Sequence, residues 1–64
     1  MTYDELQEFT KRVVLKYLPE IVRAEERGES YPIELTHIAR GLSFSPCAIF
    51  INILRDKYSI TISI

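Results

Sequence analysis

The sequence predicts a single, mainly α-helical domain closed by one C-terminal β-strand. Three observations carry that expectation. Behind a capping signature, apolar residues recur at helical spacing over residues 6–24. Two further helical patterns flank a short turn at residues 41–44. The chain then closes on Ser59-Ile60-Thr61-Ile62-Ser63-Ile64, where apolar and polar residues alternate strictly and the apolar ones are β-branched. With 64 residues, the chain is expected to form one domain over residues 1–64.

The N-terminal element begins at Thr2-x-x-Glu5, a capping box. The Thr2 hydroxyl can accept from the amide of Glu5, and the Glu5 carboxylate can reach back to the amide of Thr2. Asp4 and Glu5 add negative charge where the helix dipole favours it. Leu6, Phe9, Val13 and Tyr17 then form an apolar stripe, widened by Val14 and Leu18. Pro19 interrupts it, because proline lacks the amide proton and disfavours helical geometry at the residue before it. Yet Ile21, Val22 and Ala24 continue the stripe, so the pattern fits two helices, roughly 3–18 and 20–27, or one kinked helix. Gly28 is placed to cap its end.

Residues 29–35 read as a loop, extended at Tyr31 ahead of Pro32. A short helix to Leu42 follows, capped by Thr36 or opened by Glu34, with Leu35, Ile38, Ala39 and Leu42 on one side. After the turn, Ser45 is a good N-cap and Pro46 a good first residue for a second helix to about Lys57. The tail is expected to pair as a strand. Its partner is either the 31–35 region or an edge of another subunit, because a lone strand is not stable.

Composition narrows the classes of function. The net charge is −1 and the isoelectric point about 5.7, whereas a protein gripping DNA through phosphates is usually basic. Cys47 is the one cysteine, so no internal disulfide can form, and with His37 alone beside it there is no zinc-type ligand set. No nucleophile stands beside a base, and two glycines are too few for a phosphate-cradling loop. No enzyme, cofactor or metal is expected, and no small-molecule substrate. His37 reads as a surface histidine and Cys47 as a packed thiol. No apolar run reaches the length of a membrane span, and the acidic start does not resemble a secretory leader, so a cytoplasmic, soluble protein is expected.

Ile33, Leu35, Thr36, Ile38, Ala39 and Leu42, then Ser45, Pro46, Ile49 and Ile53, occupy the skeleton positions of a helix-turn-helix. Over residues 33–64 the chain resembles the winged-helix and helix-turn-helix superfamily of DNA-binding regulators. That resemblance implies a helix-turn-helix or reduced winged-helix domain acting as a dimeric, DNA-associated transcription regulator or accessory factor. In that family, exposed residues of the second helix enter the major groove. Carried onto this chain, the base-reading residues are Asn52 and Arg55, since Asn pairs with adenine and Arg with guanine. Arg40 and Lys57 would meet phosphates of double-stranded DNA.

The same helix also offers Cys47, Ala48, Phe50 and Ile51, which suit a wet, anionic groove poorly. The alternative is therefore a protein–protein interaction subunit of a DNA-processing or transcription complex. It would bury Phe50, Ile51 and Leu54 on a partner or a second copy and pair the strand Ile60, Ile62 and Ile64 with it.

Overall fold

The computed structural model describes residues 1–62. Four helices follow in order: α1 (Tyr3–Lys16), α2 (Leu18–Arg27), α3 (Ile33–Gly41) and α4 (Phe44–Tyr58). The chain is mainly helical, as expected. Among the described residues there is no β-strand, and this overturns the predicted C-terminal strand and the reduced wing.

The capping box forms as the sequence specifies. The Glu5 amide donates to Thr2 Oγ1 at 3.2 Å and the Thr2 amide donates to Glu5 Oε1 at 2.7 Å. The Thr2 amide, and after it the Thr2 side chain, hold the Glu5 carboxyl below its ordinary pKa, because both bonds favour the charged form. Of the two arrangements open at Pro19, the chain takes two helices. They break at Tyr17 (φ −103°, ψ 11°), with Pro19 within the first two positions of α2, where its missing amide costs nothing. Gly28 ends α2 at φ 66°, in the left-handed region that a side chain would strain, and the Glu29 amide returns to the Ala24 carbonyl at 2.8 Å.

α4 packs against both α1 and α3. Leu6, Val13 and Val14 of α1, Ile21 and Ala24 of α2, Leu35 and Ala39 of α3, and Phe50, Ile53 and Leu54 of α4 are buried. Each such large side chain contributes about 1.5–3 kcal/mol by leaving water. Ala39 is fully buried between larger neighbours, where a bulkier residue would force the helices apart. Thr10 is also fully buried, and its hydroxyl donates to the Leu6 carbonyl at 2.7 Å, so no polar atom is stranded. Phe9 and Phe50 meet with ring centroids 5.9 Å apart and planes tilted by 56°.

Two boundaries differ from the expectation. α3 starts at Ile33, with Pro32 in the N-cap position, rather than at Glu34 or beyond Thr36. α4 is capped by Ser43, not Ser45, and the Cys47 amide donates to the Ser43 carbonyl at 2.9 Å. Pro46 still falls in the first turn, where amides lack intrahelical partners, so a proline is tolerated without opening the helix. The inward residues of α4 are Phe50, Ile53 and Leu54, while Ile49 is half-buried.

The tail shows why alternation misled. Ser59 turns back at φ 56°, and the Ile60 amide donates to the Leu54 carbonyl at 2.9 Å. This drives the Ile60 side chain into the core, 3% exposed. The 31–35 region cannot serve as a partner strand because α3 already takes up its backbone from Ile33. Ile62 is half-buried against the core, in a shallow recess with Tyr31, Ile33, Thr36 and Thr61. Ile64 lies outside the described residues.

Candidate interaction surface

The helix pair α3–α4 is joined by Leu42 and Ser43 alone. Because α4 begins at Phe44, that residue sits on the helix surface, and it is 92% exposed. One helical turn on, Cys47 and Ala48 lie on the same side, followed by Ile51, an i, i+3, i+4, i+7 series. Together with Arg40 and Leu42 they line an open groove of about 480 Å³ at the α3–α4 corner, whose walls are mostly apolar. Cys47, Ile51 and Leu42 are half-buried and Ala48 is exposed. The groove adjoins the core, since the buried Ala39 helps to line it and Leu42, Cys47 and Ile51 pack against core residues, so the apolar surface of α4 extends beyond its buried side over its first half.

The polar side chains predicted to read or grip DNA are all exposed. Asn52 and Arg55 are brought together: Arg55 Nη2 donates to Asn52 Oδ1 at 2.9 Å. Arg55 Nε also pairs with Asp56 Oδ1 at 3.3 Å, which offsets its charge. Lys57 donates to the Gln7 side chain on α1 and is drawn toward that helix. Arg40 stands apart from these three, at the groove. Phe44, Ala48, Asn52 and Arg55 follow one another at about one turn per step, so a single face of α4 changes from apolar to polar along its length.

The residues predicted to bind a partner fare differently. Phe50 and Leu54 are fully buried, and Ile60 nearly so, in the chain's own core. They cannot meet a partner without unfolding it, and they leave the candidate surface. Ile51 stays, as part of the groove. Phe44, Leu42 and Ala48 were missing from the predicted surface. The signal for them was present: a cap at Ser43 puts Phe44 in phase with Ile51.

Among the described residues, no group of three His, Cys, Asp or Glu side chains could hold a metal ion. Nor, among them, is any helix long and apolar enough to cross a membrane. Comparison of the chain with family models, curated proteins and solved structures found no match.

Proposed function

We propose that this chain is a non-enzymatic helical interaction module that contacts another protein chain through the α3–α4 groove. The observation that supports this reading is Phe44, a large aromatic residue 92% exposed at the rim of an apolar recess. Leaving it in water forgoes the burial of roughly 150–250 Å² of aromatic surface, and such residues anchor interfaces.

A second reading, a dimeric DNA-associated regulator, draws support from the exposure of Asn52, Arg55, Arg40 and Lys57. Against it, a recognition helix contacts bases with its N-terminal residues, and in α4 those are Phe44, Cys47 and Ala48. The two separate on duplex binding measured by fluorescence anisotropy over a salt series. Under the protein-contact reading, binding is weak and sequence-independent, with a log–log salt slope no steeper than about −3 from three cations. Asn52→Ala and Arg55→Ala then leave it without change in sequence preference. Nanomolar, sequence-specific binding at physiological salt that both substitutions weaken would refute the protein-contact reading.

A further inference from the structure

We propose that the α3–α4 groove takes an amphipathic helical segment of another protein, one that carries an acidic residue for Arg40. This deepens the protein-contact reading and rests on it. Arg40 is the one charged side chain lining the groove; the other lining residues are apolar or, at Cys47, a thiol. It stands in the last turn of α3 and is exposed, and among the described residues it has no ion pair and no hydrogen-bond partner. The cations further along α4 are engaged, Arg55 with Asp56 and Lys57 with Gln7. The first turn of α4, on the opposite wall, holds no acidic residue. An apolar floor thus meets a positive rim that has no negative group of its own. Its complement is apolar toward Phe44 and Ile51 and negative toward Arg40. An isologous second copy brings the same cation and leaves Arg40 unmatched. One cation on a chain of net charge −1 gives an anionic bilayer little hold.

The backbone groups of α3 and α4 are spent within those helices, so the groove offers an incoming chain no edge to pair with. A segment entering it must satisfy its own buried amides and carbonyls, which a helix does and an extended strand does not. At about 480 Å³ the groove lies in the lower half of the roughly 300–1,000 Å³ range of small-ligand sites, so it admits a few side chains from one helix face. Recognition of a helix in a groove uses such anchors at i, i+3 and i+4 spacing. The two ends of the site then divide the work. Phe44, 92% exposed, supplies affinity, while an exposed cation such as Arg40 selects the partner and speeds encounter.

The test is a selection from a random peptide display library against the folded chain, followed by fluorescence anisotropy with the selected peptides. These should carry apolar residues at helical spacing together with an Asp or Glu, and should gain helical circular dichroism on binding. Phe44→Ala should weaken them at least about tenfold. Arg40→Gln, which removes the charge and keeps a polar side chain, should weaken them about two- to fivefold, an effect that fades as salt is raised. Selection repeated on Arg40→Glu should return peptides bearing Lys or Arg in place of the acid. Both positions are exposed, and unchanged circular dichroism checks that each variant is folded. No binders, binders without an acidic residue, or binders indifferent to Arg40→Gln would each overturn the acidic-helix proposal. So would a dimer mass, or adsorption to phosphatidylserine vesicles, that Phe44→Ala abolishes, since the groove would then belong to a second copy or a bilayer. Neutral peptides that still need Phe44 leave the protein-contact reading standing, whereas sequence-specific DNA binding removes both.

Discussion

Phe44 and Phe50 share one helix and one side-chain type, and they should respond to substitution in opposite ways. Phe50 is 0% exposed and stacks obliquely on Phe9, whereas Phe44 is 92% exposed. Truncating a buried phenylalanine to alanine costs about 3–5 kcal/mol, from lost transfer energy and the cavity left behind. At about 0.05–0.15 kcal/mol per residue, a chain of 64 residues has roughly 3–10 kcal/mol in all. Phe50→Ala should therefore unfold much of the population. Phe50→Leu keeps most of the volume but loses the ring pair, a loss of about 1–2 kcal/mol. Phe44→Ala should stay within about 0.5 kcal/mol, as surface changes do. Urea unfolding followed by circular dichroism reads all three. With a slope near 1 kcal/mol/M for so small a domain, Phe50→Leu moves the midpoint down by about 1–2 M. The measurement belongs at low micromolar concentration, where self-association does not add apparent stability. A Phe44→Ala loss as large as that of Phe50→Leu would refute the assigned phase of α4 and, with it, the groove.

Four further outcomes follow from the backbone, the tail and the N-terminal cap. Gly28→Ala should cost about 1 kcal/mol through backbone strain alone, since its φ is 66° and a Cβ there meets nothing within 4 Å; Ser59→Gly, at φ 56°, should gain up to about 1 kcal/mol in the same denaturant assay. Ile60→Ala should cost about 2–5 kcal/mol, as for a core residue, and a negligible loss would show that the tail does not plug the core. The Glu5 carboxyl has a depressed folded pKa, so its contribution is present above the unfolded pKa and is lost as pH falls through the folded one. The melting-temperature deficit of Glu5→Gln should hold near neutrality and shrink as pH falls from about 5 to about 3; a deficit that grows on acidification would contradict the cap.

Local chemistry was legible in the sequence wherever one residue type decides the geometry. The Thr2–Glu5 box and the Gly28 cap each follow from a single requirement, and each is found in the structure, whereas at Pro19 the sequence allowed a break or a kink and the chain breaks. Failures came where two local patterns fitted and tertiary packing chose. Ser43 and Ser45 are both acceptable residues for the N-cap position, and the choice between them decides whether Phe44 is helical. A cap at Ser45 would leave Phe44 in the turn, whereas the burial of Phe50 and Leu54 is decided by the packing of α4 on α1 and α3. Likewise, alternation in the tail describes a strand only if a neighbour exists. With Ile33 committed to α3, none does, and Ile60 gains more by entering the core behind the Ser59 reversal.

The earlier start at Phe44 also changes what α4 can do. A helix apolar over most of its circumference needs cover on more than one side. In α4 the chain covers one side, with Phe9, Leu35 and Ala39 among the residues of that core. The other side divides by length. Its first two turns carry Phe44, Cys47, Ala48 and Ile51, and its last two carry Asn52, Arg55 and Asp56, whose charges partly satisfy one another. Insertion into a nucleic-acid groove would put the wrong half forward, because the apolar turns would face the base edges while Arg55 is paired with Asp56. Contact with protein uses the same asymmetry well, since the apolar turns can be desolvated while the polar turns stay in water as a rim.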